Sequence, residues 1–396
     1  MNKTIVYTTF FFLLVWSVFA LQFFNENPTI FTTMLLLVLE IISFSIVLLN
    51  VRAILKNKLN VAVFIWTIYV IINTLIYSDD LFVDMRDVLW WPLIYFLFYC
   101  IAIHDIQDKY IKSLIRFIPI LFILLFLEFL FIRSTNAFTY TESGLILFKA
   151  SNGIYFNALL LPFAFLLKNK RSKYLFLLFG LVIVLVSFKR AALIFTVAVI
   201  IMSMYYDFIA SKNTNIFYGI ILSCFVITVG LFTFNFIDKK TDGFITQRIE
   251  LMKEDNGSGR TEIYKNVLKI FKTKNIEYKV LGSGFNSFKN DNKIRFNNGD
   301  VESISTHNDI LEIIYDFGII GLVIYFSIIG LLVKRIFYLK KIDDKFFQAN
   351  LAAFIIFTTM TMVSHLILYP TYFVYLAIIW AITEGLINKK QVYDSY

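Results

Sequence analysis

The run Gly318-Ile-Ile-Gly-Leu-Val-Ile-Tyr-Phe-Ser-Ile-Ile-Gly-Leu-Leu-Val333 contains no charged side chain, and Lys334-Arg335 follows it directly. Tyr174–Phe188 is a second run of the same kind. Uncharged apolar runs that end in basic residues are typical of helices that cross a lipid bilayer. These stretches therefore predict a helical membrane protein.

The composition of the whole chain agrees with these two runs. Of its 396 residues, 59% are hydrophobic and 16% are charged, and the mean hydropathy is +0.73. An ordinary soluble domain has about 25% charged residues. A soluble surface could not accommodate so many apolar side chains, 45 Phe among them. We therefore expect an all-α polytopic membrane protein.

Twelve apolar runs are candidates for bilayer-spanning helices. They cover residues 4–24, 30–50, 60–77, 88–103, 114–132, 153–167, 174–188, 191–209, 216–236, 313–333, 347–368 and 371–387. The chain then divides into three parts: nine helices in 1–236, one large loop at 237–307, and three helices with a tail in 308–396. We expect short helices inside the loop and a turn at Leu281-Gly-Ser-Gly-Phe285.

The basic residues orient these helices. With the N-terminus in the cytoplasm, 19 Lys and Arg residues fall on inner connections and 5 on short outer ones. This bias follows the positive-inside rule and predicts that both termini are cytoplasmic. Loop 237–307 would then lie outside the cytoplasm. Because the charges lie between apolar runs rather than on one patch, the net charge of +9 does not indicate a nucleic-acid partner.

Two basic motifs fall on the predicted outer side. Lys189-Arg190 separates two adjacent apolar runs, either as a hairpin tip that reaches the lipid headgroups or as an anion site. Arg260 precedes an amphipathic helix predicted over Thr261–Lys272, at whose start backbone N–H groups also attract anions. The apolar face of this helix would consist of Ile263, Tyr264, Val267, Leu268 and Phe271. Ser258 would cap that helix, and Arg248 is a further candidate.

A third motif, Ser305-Thr-His307-Asn-Asp-Ile-Leu311, precedes the apolar run quoted first. Thr306 and Asp309 are spaced as a capping box, which would make His307 the first residue of a helix. A helix N-terminus disfavours imidazolium, so His307 would be neutral and able to accept a proton. The alternative is an ordinary residue beside a cap.

His365 and Tyr369 follow near the predicted outer end of the next span. They either line the same mouth as His307 or belong to an aromatic belt at the membrane surface.

The order of these motifs resembles the O-antigen ligase/polymerase superfamily, which includes Wzy-type O-antigen polymerases and WaaL-type O-antigen ligases. The resemblance rests on Ser-Phe-Lys-Arg190-Ala-Ala-Leu, on Ser-Gly-Arg260 at the start of a helix, and on Thr-His307-Asn-Asp-Ile-Leu followed by Gly-Ile-Ile-Gly-Leu322. It is specific over roughly 185–335 and architectural elsewhere.

The resemblance implies a GT-C-type glycosyltransferase of the bacterial inner membrane, with its active site and loop 237–307 facing the periplasm. It would use an undecaprenyl-diphosphate-linked oligosaccharide and need no metal ion or cofactor. Arg190 and Arg260 would hold the diphosphate, and His307 would orient or deprotonate the acceptor hydroxyl. The substrate would also contact Lys189, Arg248, Asn308, His365 and Tyr369. The family further implies a chain-length regulator as a partner, beside the membrane lipid itself.

Three functions compete on this basis. A repeat-unit polymerase is favoured on the wording of the Arg260 and His307 motifs. A ligase that transfers glycan to lipid A–core would use the same donor and the same Arg and His residues. A lipid-linked oligosaccharide flippase or transporter is less favoured, because the chain has one large loop and lacks internal repeats.

The predicted topology can be tested with alkaline phosphatase fusions, since this enzyme is active only outside the cytoplasm. A fusion near Asn292 should be active and a fusion after Lys390 inactive. The reverse pattern would contradict the orientation and remove the argument for an outer site.

Overall fold

The fold is a bundle of helices, seen in a computed structural model. The structure describes residues 3–20, 30–105, 108–131, 138–140, 146–148, 154–187, 190–209, 235, 238–239, 246, 260–291, 293–295, 301–303, 306–363, 366–367 and 370–393. Its helices are α1 (Lys3–Ala20), α2 (Ile30–Ile54), α3 (Lys58–Tyr77), α4 (Leu81–His104), α5 (Lys109–Phe131), α6 (Ile154–Leu159), a 3₁₀ helix (Leu161–Leu166), α7 (Lys170–Ser187), α8 (Arg190–Met204), a π-helix (Tyr205–Ile209), α9 (Arg260–Thr273), α10 (Ile276–Leu281), α11 (Ser287–Asp291), α12 (Asp309–Asp316), α13 (Gly318–Leu339), α14 (Asp344–Val363) and α15 (Pro370–Tyr393).

Described helices lie within every predicted span except 216–236, of which the structure describes only residue 235. Among the described residues, five helical stretches are long and apolar enough to cross a membrane, and three further apolar helices are shorter. The five are Thr33–Ile54, Lys58–Tyr77, Leu81–His104, Lys109–Leu127 and Gly318–Leu339. The chain is thus a multi-pass helical membrane protein, and the number of twelve crossings stays a prediction.

Helix α4 forms the centre of the bundle. Its side chains from 90 to 102 are all buried, and so are those of α15 from 373 to 385. These two helices pack along each other, and α2 and α3 cover α4 from other sides. Helices that are apolar all round belong inside a bundle, where neighbouring helices rather than lipid surround them.

The bundle has two distinct ends. The end that carries residues 306–308 is called the His307 end below. At the opposite end, the Arg335 guanidinium lies 3.0 Å from the buried carboxylate of Glu384. The Asn57 amide donates to the other Glu384 oxygen at 2.6 Å. These bonds fasten α13 and α3 to α15, so this acidic residue of an apolar run is a structural anchor.

Two short hairpins accompany the helices, which the all-α prediction does not include. Strand β1 (Phe138–Tyr140) pairs antiparallel with β2 (Ile146–Phe148), and Phe138 lies opposite Phe148. Strand β3 (Lys293–Arg295) pairs with β4 (Val301–Ser303), and Lys293 lies opposite Ser303. The second hairpin belongs to the predicted outer loop.

The predicted span 313–333 is wrong at its start, because the chain breaks at Phe317 into α12 and α13. Gly318 has φ +64°, which an ordinary residue rarely adopts and which ends α12. The break also brings two backbones into direct contact, since a Cβ on Gly318 would overlap the carbonyl oxygen of Val280. The Tyr69 hydroxyl lies 2.7 Å from the Phe317 carbonyl oxygen and 2.8 Å from that of Leu281.

Substitution of Gly318 should therefore be costly. Gly318→Ala forces a Cβ into a positive φ and against Val280, and strain of this kind lowers the free energy of unfolding by about 1–3 kcal/mol. Gly330→Ala is the matched control, because a Cβ there meets open space among the described residues and alanine favours a helix interior. Thermal unfolding in detergent measures the stability of both variants. Equal midpoints for the two variants would contradict the proposed backbone contact.

Candidate functional site

Helix α12 carries three acidic residues on one face. Asp309, Glu312 and Asp316 are spaced i, i+3 and i+7, which places them on the same side of a helix. All three are buried, Asp309 and Asp316 completely. Buried carboxyl groups need hydrogen-bond partners. This face is not among the sequence predictions, although the sequence shows acidic residues at helical spacing beside an uncharged run.

Asp309 holds the chain that follows α14. Its carboxylate accepts the backbone N–H groups of Leu366 at 3.0 Å and Ile367 at 3.1 Å. This short segment connects the end of α14 to the start of α15. A buried carboxylate therefore fixes the connection between the last two helices against the start of α12.

Asp316 holds a loop from the predicted outer region. Its two carboxylate oxygens each accept one backbone N–H, from Asn286 and from Phe288, both at 3.0 Å. Its own carbonyl oxygen accepts the N–H of Gly284 at 2.9 Å. The Leu281-Gly-Ser-Gly-Phe285 turn predicted from sequence is thus wrapped around the end of α12.

Glu312 binds the turn that carries His307. The buried Thr306 hydroxyl lies 2.9 Å from the Glu312 carboxyl group and accepts the N–H of Asn308 at 3.0 Å. The predicted capping box is wrong in its register, since Asn308 is the N-cap and its side chain accepts the Leu311 N–H at 3.1 Å. Thr306 bonds to the first turn from outside the helix.

His307 is therefore not the first residue of the helix, as the sequence predicted, but lies two residues before it. Its backbone has φ +53°, a left-handed conformation that costs about 1–3 kcal/mol in a residue other than glycine. Its imidazole is partly exposed, between two residues whose hydrogen bonds fix the turn. Such strain persists only where the surroundings hold it in place.

The turn of His307 meets helix α9 at the end of α14. The Asn308 amide donates to the carbonyl oxygen of Met362 at 3.3 Å, and the Tyr264 hydroxyl approaches the same oxygen at 3.5 Å. Tyr264 lies four residues after Arg260, so the backbone of Arg260 is about 6 Å away along the helix axis. The start of α9 and the turn of His307 are thus neighbours.

Helix α9 begins at Arg260, one residue before the predicted start at Thr261, and the Arg260 side chain and Ser258 lie outside the described residues. Its apolar face packs on α11 and α12 through Ile263, Val267, Phe288 and Tyr315. Leu268, predicted to share this face, is 50% exposed. The amphipathic helix predicted from sequence therefore packs with its apolar face against the His307 end of the bundle.

Asp291 ties the same elements together. It accepts hydrogen bonds from Lys274 after α9 at 2.8 Å and from Tyr315 of α12 at 2.6 Å. Burial raises the pKa of Asp291, but these hydrogen bonds and the Lys274 charge outweigh burial and lower it below its ordinary value. The bonds therefore stabilise the protein at neutral pH, and this stabilisation is lost in acid as Asp291 protonates.

Helix α8 begins at the His307 end of the bundle. Helix α8 packs against α14. Near the opposite end the Tyr206 and Phe347 rings are 5.2 Å apart. From there α8 runs back to Arg190 over about 24 Å and α14 runs on to Met362 over about 22 Å. The backbone of Arg190 therefore lies at the His307 end, and its side chain is outside the described residues.

The remaining predicted site residues, Lys189, Arg248, His365 and Tyr369, lie outside the described residues. Leu366, the chain neighbour of His365, is held by Asp309 next to the His307 turn. Within the part of the chain that the structure describes, no three His, Cys, Asp or Glu side chains are grouped to hold a metal ion.

A comparison with protein families gives one result for this region. The sequence profile of the O-antigen ligase family matches residues 156–326. This match confirms the resemblance to the O-antigen ligase/polymerase superfamily. The matched region runs from α6 into α13, and so includes the starts of α8 and α9, the His307 turn and the acidic face of α12. No curated protein gives a significant match to the chain.

The anchoring role of Asp309 leads to a prediction. Asp309→Asn keeps one acceptor oxygen but places an N–H₂ group against backbone N–H donors. This loss of hydrogen bonding should lower the free energy of unfolding by about 1–3 kcal/mol. Hydrogen–deuterium exchange at Leu366 and Ile367 should become faster. Asp343→Asn is the control, since Asp343 also accepts two backbone N–H groups but lies exposed at the opposite end. Unchanged exchange in Asp309→Asn would show that this carboxylate does not hold the segment.

Proposed function

We propose that the protein is a polysaccharide repeat-unit polymerase, an O-antigen polymerase in the broad sense. It would transfer the growing glycan from undecaprenyl diphosphate to the non-reducing end of a new lipid-linked repeat unit. The family match supports a lipid-linked oligosaccharide as substrate. The observation that carries the proposal is that the His307 turn and α9 meet at the Met362 carbonyl oxygen, at the end of α14 towards which α8 begins.

In this proposal the donor diphosphate binds between the starts of α8 and α9. Arg190 and Arg260 would each offer a planar guanidinium group, which can bind phosphate oxygens with two N–H donors. Both residues also begin a helix, where free backbone N–H groups favour an anion. Two fixed cations would neutralise the charge that develops on the leaving diphosphate without a metal ion or another cofactor.

His307 would act on the acceptor. An acceptor hydroxyl oxygen attacks the anomeric carbon of the donor glycan, and the bond from this carbon to the diphosphate oxygen breaks. Undecaprenyl diphosphate leaves with the electron pair of that bond. The hydroxyl proton passes to the imidazole of His307. The exposed part of the imidazole and its fixed turn suit this role.

The secondary candidates have weaker roles. Lys189, Arg248, His365 and Tyr369 would contact the diphosphate or the sugars from the edge of the site. Asn308 is proposed to position the turn rather than bind substrate, since its amide already bonds to Leu311 and Met362.

The proposal includes the sidedness predicted from the charge distribution. The His307 end would face the periplasm, with both termini in the cytoplasm and the chain in the bacterial inner membrane. The chain would keep the three-part division at 236/237 and 307/308. A chain-length regulator would act from outside the site.

A ligase is the second candidate, because the matching family profile carries that description. It would use the same donor groups and transfer the glycan to lipid A–core. A flippase or transporter is the third candidate and would form no glycosidic bond. The polymerase and the ligase differ in the acceptor that receives the glycan, and a flippase makes no new bond. The products that form therefore distinguish the three functions.

The purified protein should lengthen lipid-linked repeats in excess EDTA without any lipid A–core present. Arg190→Ala and Arg260→Ala should each lower the rate by about 10²–10³-fold, as is typical when a charge-stabilising group is lost. His307→Ala should lower it by about 10²–10⁴-fold, as is typical when a general base is lost. Arg190→Lys should recover little, since an ammonium group cannot make a two-point contact. Gel separation of the glycan products measures the rates.

His104→Ala is the matched control, because His104 lies at the opposite end and bonds to Asn50. It should elongate at the wild-type rate. Product formation only when lipid A–core is added would favour the ligase. Full activity of His307→Ala, or dependence on an added divalent metal, would contradict the mechanism.

A further inference from the structure

Glu312 and Thr306 form a buried pair beside the turn of His307. Thr306 is completely buried and Glu312 is 4% exposed. The Thr306 hydroxyl lies 2.9 Å from the Glu312 carboxyl group and 2.8 Å from the Asn308 carbonyl oxygen. The Asn308 carbonyl oxygen already accepts the N–H of Glu312 at 3.0 Å. The Thr306 hydroxyl therefore donates its single proton to the Glu312 carboxyl group.

The same hydroxyl also fixes the far side of the turn. Its oxygen accepts the N–H of Asn308 at 3.0 Å, so the residues before and after His307 are joined by one side chain. His307 is held between them at φ +53°. The substitution Thr306→Val would keep the shape of the side chain and lose its hydrogen bonds to Glu312 and to the Asn308 N–H.

We propose that Glu312 is a positioning residue that sets the place of the His307 imidazole through the Thr306 hydroxyl. The pair contacts the backbone around His307 rather than substrate. The effect on catalysis rests on the proposed function, whereas the effect on the imidazole does not. A misplacement of about 1 Å can lower a catalytic rate about 100-fold.

The kinetic test compares variants at position 306. Thr306→Val should lower kcat about 100-fold, with a nearly unchanged KM for the lipid-linked repeat, because the substrate contacts remain. Thr306→Ser keeps the hydroxyl and should restore most of kcat. The control is Thr196→Val in α8, a buried threonine whose hydroxyl has no partner among the described residues. It should behave as wild type.

A double-mutant cycle tests the link to Glu312. Glu312→Gln keeps an acceptor oxygen and should cost less kcat than Thr306→Val. The double variant should lose no more than Thr306→Val alone, because both changes act through one hydrogen bond. Additive losses of kcat would overturn the proposed link between Glu312 and Thr306. If Thr306→Val fails to fold, a several-fold loss of kcat in Glu312→Gln carries the test, and wild-type kcat overturns the proposal.

A second readout does not need activity. Diethyl pyrocarbonate modifies histidine, and mass spectrometry separates the His307 peptide from that of His104. Thr306→Val should change the modification rate of His307 several-fold and leave His104 unchanged. An unchanged modification rate of His307 would overturn the proposal.

The two proposals can fail separately. A wild-type protein that elongates nothing would refute the polymerase, and the modification rates would still decide the role of Thr306. An inactive His307→Ala beside a fully active Thr306→Val would refute the positioning role alone.

Discussion

The site depends on the burial of three carboxyl groups on one face of α12. A carboxyl group removed from water must find hydrogen bonds inside the protein, and here each one finds them in a different segment of chain. Asp309 binds the connection between α14 and α15, Glu312 binds the Thr306 hydroxyl, and Asp316 binds the loop after α10. One short helix therefore gathers segments that are far apart in sequence.

A lipid environment favours this arrangement. Irregular backbone near the apolar part of a bundle is stable only where the protein itself supplies partners for its N–H and C=O groups. The loop after α10 reaches the second half of α3, where Tyr69 and Asn73 bind the Leu281 carbonyl oxygen. The loops at the His307 end are thus part of the packed interior, which gives the partly exposed His307 a rigid support.

The sequence predicted the helices well, because apolar runs between basic clusters are a strong signal. It also predicted the start of α9 to within one residue, and a turn at 281–285. It missed the break at Gly318, since an uncharged run gives no sign of a backbone contact with Val280. It placed the cap on Thr306 rather than Asn308, since both residue types fit an N-cap and only the fold shows that Thr306 is buried. The anchoring acids were visible in sequence, but their partners come from loops that sequence cannot bring together.

The central claim is that the starts of α8 and α9 and the His307 turn form one diphosphate site. Photo-cross-linking with an undecaprenyl diphosphate analogue that carries a photoreactive group near its phosphates tests this claim most directly. The label should appear on peptides around Arg190, Arg260 and His307, and unlabelled undecaprenyl diphosphate should compete with it. Labelling of the opposite end near Arg335 alone, or labelling without competition, would contradict the account.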